Sequence, residues 1–335
     1  MKNITMIGAL WTSNFGDVLL ADLLYKKAKE VGFKVRFYNV SEKVLNELNA
    51  ENATFKELIN SDYLMFIAGG YLSEPPSNVS RWALSRYKKI FMYADIFKLL
   101  GKKYYIVDVG AGAIENPLSK FILKRFVENA EDVILRDSKS LETFKNLGSK
   151  KDIKLSIDYA LSISNNKEHY ATNEKREVAL HLSSHKPKLN DYILKYFDNA
   201  NYDTWFIEDH FGEYEKIKNL NPQIEKILKN KIIRYTNYEN FIKTLNSFDF
   251  ILTSKLHVGI LSSALNKKIC SFPYHGKVIN YYKEVGYSDL CCENILNEED
   301  CFKHLKYCLN SDPVHIKEDI LKRLEIVNNL FEDIK

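Results

Sequence analysis

Short apolar runs rich in β-branched and aromatic residues alternate along the chain with longer stretches whose apolar positions recur at helical spacing. In the first half this pattern predicts strands at Ile4–Leu10, Lys34–Val40, Tyr63–Ala68, Tyr104–Val109 and Asp132–Leu135. Helices are predicted between them at Asp17–Val31, Val79–Leu100, Leu118–Asn129 and Lys139–Leu147. The second half repeats the scheme, with strands at Val178–Leu182, Asp203–Ile207, Ile232–Arg234, Phe250–Thr253 and Lys268–Phe272. Its helices fall at Leu189–Phe197, Tyr214–Leu228, Tyr238–Ser247, Leu256–Leu265 and Lys277–Val285, and Glu298–Lys335 reads as mostly helical. Strands that are apolar throughout are covered on both faces. Their alternation with helices implies parallel sheets joined by right-handed crossovers.

The segment Ser164–Arg176 is polar and follows neither period. It predicts a linker between a first domain at residues 1–165 and a second at 175–335, with the helical C-terminus in the second. The expected fold class is α/β: two doubly wound Rossmann-like domains facing a cleft, with the carboxyl ends of both sheets opening into it.

Composition refines this picture in three places. The 48 Lys and Arg against 44 Asp and Glu leave a net charge of +4, too near balance to argue for nucleic acid as a partner. The five cysteines are odd in number and include no C-x-x-C pair, which favours reduced thiols over disulfides or zinc. The N-terminal apolar run is too short for a signal peptide, and no stretch is long and apolar enough to span a bilayer, so the expected location is the cytoplasm.

Chemistry is expected in the loops that follow the strands. In the first loop, Asn14-Phe15-Gly16-Asp17, Gly16 permits close backbone approach. Asp17 suits either a helix cap or acceptance of a proton from a bound hydroxyl. Gly69-Gly70-Tyr71 and Gly110-Ala111-Gly112 are small-residue turns at strand ends, and neither the P-loop pattern nor G-x-G-x-x-G is present. Arg136 at a buried strand end needs an acid partner or an anionic ligand. The segment Thr253–His257 carries Lys255 and His257 into a helix start, where free N–H groups and the helix dipole favour an anion. A cation there is unfavourable without one. Lys277 offers a second positive charge after the next strand.

These loops together resemble the polysaccharide pyruvyl transferase family. The matching pieces are Asn14-x-Gly16-Asp17, Ala68-Gly69-Gly70, Arg136-Asp137-x-x-Ser140, Asp158, Ser254-Lys255-Leu256-His257 and Tyr274-x-x-Lys277, in the family order from about residue 3 to 290. The resemblance implies a fold similar to two-domain glycosyltransferases of the GT-B type. It implies phosphoenolpyruvate as donor substrate, with no cofactor or metal, and a sugar of a cell-surface glycan or its precursor as acceptor. The product would be a pyruvate ketal. Carried over, the donor-binding residues are Arg136, Lys255, Leu256 and His257, with Lys277 as a further cation. The family usually has Arg where this chain has Lys255, which keeps the charge and loses the bidentate geometry.

The mechanism consistent with these residues makes His257 the general acid or a phosphate ligand, and Asp17 the group that activates the acceptor hydroxyl. Asn14, Gly16, Gly69, Gly70 and Tyr71 would line the acceptor side, with Trp11, Tyr71 and Trp82 as rings for a sugar face. A lipid-linked acceptor would bring the protein to the inner face of the membrane. Two other readings stand beside this one. A nucleotide-sugar glycosyltransferase would need a late acidic residue such as Glu284 or Glu293, and a sugar-binding module would have no catalysis at all. The acceptor, the ketal stereochemistry and the oligomeric state are not written in the sequence.

Overall fold

The apolar runs become parallel strands of two separate sheets. A computed structural model of the protein describes residues 1–11, 14–200, 202–229 and 231–335. It divides into one unit made of Met1–Tyr159 with Asp319–Lys335, and a second made of Ala160–Glu318.

The first unit contains β1 (Asn3–Ile7), β2 (Lys34–Phe37), β3 (Tyr63–Ile67), β4 (Lys103–Val109), β5 (Asp132–Leu135) and β6 (Lys154–Leu155). All pair in parallel, in the spatial order β2-β1-β3-β4-β5-β6. Leu64, Met65, Phe66 and Ile67 of β3 are fully buried, as a strand covered by helices on both faces requires. The strand order reverses between β1 and β3, so the loops after those two strands flank the crevice at the sheet's carboxyl edge. Helix Phe15–Val31 starts at the Asn14 side chain, which accepts from the Gly16 N–H, and stops at Gly32 in the left-handed region.

In the second unit, β7 (Arg176–His181), β8 (Thr204–Glu208), β9 (Ile232–Arg234), β10 (Phe248–Thr253) and β11 (Lys268–Ser271) form a parallel sheet. Its order is β11-β10-β7-β8-β9. Its switch point lies between β7 and β10, where His181 and Thr253 are register partners at the strand ends.

Two boundaries differ from the expected ones. The C-terminal segment belongs to the first unit, not the second. Helix Glu325–Asp333 packs on helix Phe15–Val31, the Lys2 ammonium donates to the Ile334 carbonyl at 3.0 Å, and the Tyr159 hydroxyl donates to Asn328 Oδ1 at 2.7 Å. Amphipathic periodicity shows that a helix buries one face, but not against what. The expected linker is also displaced: the units divide after Tyr159, and Tyr159–Tyr170 winds as short 3-10 turns. Among the described residues no helix is long and apolar enough to cross a membrane.

Candidate functional site

At the crevice of the first unit the backbone itself is strained. Ala68 and Asp108, at the ends of β3 and β4, have φ of +52° and +57°. Such angles are unfavourable for residues with a Cβ and persist where the surroundings fix them. Gly69 follows at φ +78°, and a Cβ there would lie 3.2 Å from Asp17 Oδ1 and 3.3 Å from the Tyr71 ring, so only glycine fits this close approach. Asp17 stands in the first turn of its helix, favourably at the positive dipole end, while Asn14 does the capping. Asp17 is therefore a carboxylate beside the Gly69 turn rather than the cap. Thr12 and Ser13 of the same loop lie outside the described residues.

Tyr71 departs from the expected stacking role. Its residue is only 6% exposed, so its ring faces are not open to a sugar, and its hydroxyl is buried with no hydrogen-bond partner. Burial, and then the Asp17 charge, raise that hydroxyl above the ordinary phenol range. Trp11 and Trp82 are half-buried, and the Arg86 guanidinium lies 4.4 Å from the Trp11 ring centre.

Arg136 departs as well. It is 4% exposed, its Nη1 is 3.1 Å from Asp158 Oδ2, and Asp137 lies farther, at 4.0 Å. Burial disfavours its charge, but Asp158, Asp108 and Asp137 together hold the guanidinium above its usual range. Its fork lies against the Gly110 turn, where a Cβ would come within 2.9 Å of Nε. The neighbouring residues complete a scaffold. Asp137 caps helix Ser138–Asn146 by accepting from the Ser140 N–H at 2.7 Å, and Ser140 Oγ accepts from the Ala111 N–H at 2.7 Å. Asp108 accepts from the Tyr159 N–H at 3.1 Å. Burial, then Asp158, push the Asp108 carboxyl well above the ordinary carboxylate range despite Arg136.

In the second unit the switch point gathers charged groups. His181 Nδ1 is 2.9 Å from Thr253 Oγ1, and His181 Nε2 is 3.0 Å from Asp209 Oδ1. Lys255 Nζ donates to the same Asp209 oxygen at 2.5 Å. Burial alone would raise the Asp209 carboxyl, but His181 and Lys255 outweigh it and hold the group well below the usual carboxylate range. The cation at the helix start thus has a counter-ion in the fold, contrary to the expectation that it needs a ligand.

Lys255 is the N-cap of helix Leu256–Ala264, and His275 is the N-cap of helix Gly276–Glu284; neither side chain caps its own helix. The two helices pack together closely, and a Cβ on Gly259 would meet the Tyr282 hydroxyl at 2.8 Å. Leu256, His257 and Lys277 stand in their first turns, all half-buried. His275 is exposed, and burial of its ring followed by Lys277 lowers its pKa. Tyr274 is exposed and stacks on His185 at 5.6 Å between ring centres.

A family model described as polysaccharide pyruvyl transferase matches residues 14–276. The chain belongs to the polysaccharide pyruvyl transferase family. No curated protein matches it. Among solved structures, this pyruvyl transferase family member is similar to UDP-GlcNAc 2-epimerase from Methanocaldococcus jannaschii, at 14% identity and a TM-score of 0.63 over 98% of this chain and 99% of that one. S. aureus MnaA, solved with UDP, is 12% identical with a TM-score of 0.62 over 100% and 97%. Anabaena HepE, in complex with UDP and glucose, is 10% identical with a TM-score of 0.55 over 100% and 94%. At these identities the likeness shows the fold: two parallel-sheet α/β units of the GT-B type, within a transferase family of polysaccharide biosynthesis.

Reasoning from the sequence missed His181, Thr253 and Asp209 in the second unit and Asp108 in the first. Each stands at or just beyond a strand's carboxyl end, and a polar residue closing an apolar run was the available signal. It also missed a Cys270, His304 and Cys308 group whose ligand atoms lie within 4.8 Å of one another, a set able to hold a thiophilic metal. Cys270 sits on β11, far in sequence from the other two. Cys308 Sγ and His304 Nε2 are hydrogen-bonded at 3.6 Å, so the pair is satisfied without an ion.

Proposed function

We propose that this family member transfers a pyruvyl group from phosphoenolpyruvate to a sugar hydroxyl pair, forming a pyruvate ketal and releasing phosphate. One observation carries the donor half of the reading. Two adjacent helices in the second unit start at Lys255 and His275, whose own side chains do not cap them, and His257 and Lys277 stand in the first turns. Helix-start N–H groups, the dipole and ammonium groups favour a small polyanion. Phosphoenolpyruvate supplies a phosphate and a carboxylate for them. The Leu256 contribution is its backbone N–H.

The chemistry asks for three proton movements, one onto carbon and one off each hydroxyl. His257 protonates the methylene carbon of the enol, and positive charge develops on the carbon that bears the phosphate. A sugar hydroxyl adds to that carbon as it loses its proton, the C–O bond to phosphate breaks with its electron pair leaving on phosphate, and the second hydroxyl closes the ketal, its proton returning to the His257 imidazole. Asp17 takes a hydroxyl proton on the acceptor side, supported by Asn14, Gly16, Gly69 and Gly70. Tyr71, buried beside the Gly69 turn, supports it and offers the sugar neither a ring face nor its hydroxyl. Arg136 holds the Gly110 turn rather than the donor. A lipid-linked or free glycan precursor is the acceptor.

The test is mass spectrometry of sugar acceptors after incubation with phosphoenolpyruvate. Because HepE and MnaA are solved with UDP, UDP-GlcNAc is offered in parallel. A mass gain of one pyruvate ketal is expected, and glycosyl transfer in its place overturns the reading. His257→Ala should lower turnover by about 10²–10⁴-fold, the usual worth of a positioned acid. Near-normal transfer by that variant removes His257 from the mechanism.

A further inference from the structure

We infer that the first unit docks on an anionic lipid surface through the face formed by residues 79–99 and helix Pro117–Glu128. The first segment runs as helix Val79–Arg86, a π turn at Tyr87–Phe91 and helix Met92–Leu99, and it packs beside Pro117–Glu128. Between them lies an apolar groove of about 280 Å³ lined by Leu84, Tyr87, Phe91, Leu118, Phe121 and Phe126. Its mouth exposes bulky apolar side chains, with Leu84 50% and Phe121 65% accessible. Two large residues held open to water beside one groove form a patch that a soluble surface seldom keeps without an occupant.

The charge around the groove selects the occupant. These two segments carry eight Lys and Arg against two acids, Asp95 and Glu128, while the whole chain has a net charge of only +4. The rest of the molecule is therefore slightly acidic, and the positive charge is concentrated here. Both acids are engaged within the face: Asp95 pairs with Arg125 at 3.1 Å, and Glu128 with Lys124 at 3.8 Å. Arg81, Lys88, Lys89, Lys98 and Lys120 are all exposed. Lys88 lies one helical turn from Leu84, and Lys124 one turn from Phe121.

A second copy of the chain in a two-fold contact would set this positive face against itself. Protein interfaces are depleted in lysine, whereas a lysine-rich rim around a few bulky apolar groups is the pattern of a membrane-surface element. Anionic headgroups take the lysines, and Leu84 and Phe121 enter the acyl boundary. The location also suits the proposed acceptor. Asn116 Nδ2 donates to Ser80 Oγ at 3.1 Å, and Glu74 accepts from the Glu115 and Asn116 N–H groups at 3.0 Å. Those bonds tie the start of both helices to the loop that follows Tyr71. A glycan on a lipid carrier would arrive at the Gly69–Tyr71 end, a consequence that rests on the proposed function; the docking itself does not.

The experiment is co-sedimentation of the full chain with vesicles of phosphatidylcholine alone or mixed with phosphatidylglycerol, at low and high salt. Binding is expected only to the anionic vesicles, weakening as salt rises. Lys88→Glu/Lys89→Glu/Lys120→Glu should reduce partitioning on the order of 100-fold. Leu84→Ser/Phe121→Ser should reduce it about tenfold or more. These positions are exposed, and an unchanged circular-dichroism melt confirms the fold. Equal binding to both vesicle types, no binding, or variants that bind like the parent each overturn the inference. So does a dimer in light scattering that the Leu84/Phe121 variant converts to monomer, which would assign the face to self-association. None of these outcomes depends on whether pyruvyl transfer occurs.

Discussion

Replacing Asp209 with asparagine removes one negative charge and leaves the shape almost unchanged, so it isolates what that charge does. Its Oδ1 touches both Lys255 Nζ at 2.5 Å and His181 Nε2 at 3.0 Å. Breaking a fully buried ion pair costs about 3–5 kcal/mol. Here the Lys255 and Asp209 side chains are 20% and 15% accessible, so water screens part of the loss and about 1–3 kcal/mol is expected. For a unit the size of Ala160–Glu318 this lowers its melting temperature by about 2–12 °C. The Asp209 pKa is depressed by folding, so its contribution is complete above the unfolded carboxylate value near 4 and is lost as pH falls through the folded value. The gap between parent and variant should therefore close in acid.

Anion affinity should move the opposite way. A phosphate or carboxylate oxygen on the far side of Nζ would sit about 5 Å from Asp209, a repulsion of about 3 kcal/mol at an effective dielectric of 20 before salt screening. Removing it should tighten phosphoenolpyruvate about tenfold by calorimetry. In a Lys255→Met background the gain should vanish, because the cation that links the two sites is gone. Unchanged or weaker binding by a folded Asp209→Asn protein would falsify the claim that Lys255 faces the donor.

Two further outcomes probe the first unit. Gly110→Ala sets a methyl 2.9 Å from Arg136 Nε, and the guanidinium cannot retreat because Asp158 holds it; a loss of about 1–3 kcal/mol is expected in denaturant unfolding, and an unshifted midpoint would refute this packing. Folding raises the Asp108 carboxyl above its unfolded value near 4, so this group costs stability as pH rises beyond that value. Asp108→Asn should thus gain on the parent as pH rises above the unfolded carboxylate value near 4, and parallel stability curves would show that burial does not raise the carboxyl.

All five expected strands of each half are present; the central ones, such as β3 and β10, announce themselves as apolar runs, while β2 and β9 at the sheet edges are mixed and partly exposed. What escaped was short or non-local. Strand β6 is two residues long, helices Glu42–Leu48 and Phe55–Asn60 span two turns or less, and the predicted Tyr214–Leu228 helix breaks into Glu213–Leu220 and Ile224–Leu228. Pro222 marks that break in the sequence and was available as a signal. The partner of a cation was harder to read. Asp158 for Arg136 and Asp209 for Lys255 are brought near by parallel strands whose order the sequence does not state.

That difficulty separates the motif residues into two kinds. Arg136, Asp137, Ser140 and Asp158 direct hydrogen bonds and charge at one another and at the Gly110 turn, so their chemistry is consumed in holding the backbone. At Leu256 and Gly276 the chain begins two helices whose N-cap residues, Lys255 and His275, give no side-chain cap; Asn14, Thr54, Asn116, Asp137, Asn237 and Asn297 do cap their helices, while Ser41, Asn78, Gly212 and Gln223 do not. A missing cap costs about 0.5–2 kcal/mol, and this chain incurs that cost side by side at the carboxyl edge of β10 and β11. Stability alone would favour Ser, Thr, Asp or Asn at Lys255 and His275. A polyanion that must reach the same N–H groups would be repelled by Asp and blocked by the others. On the proposed function, lysine and histidine at these two caps are compatible with an anion at both helix starts in a way that Asp would not be.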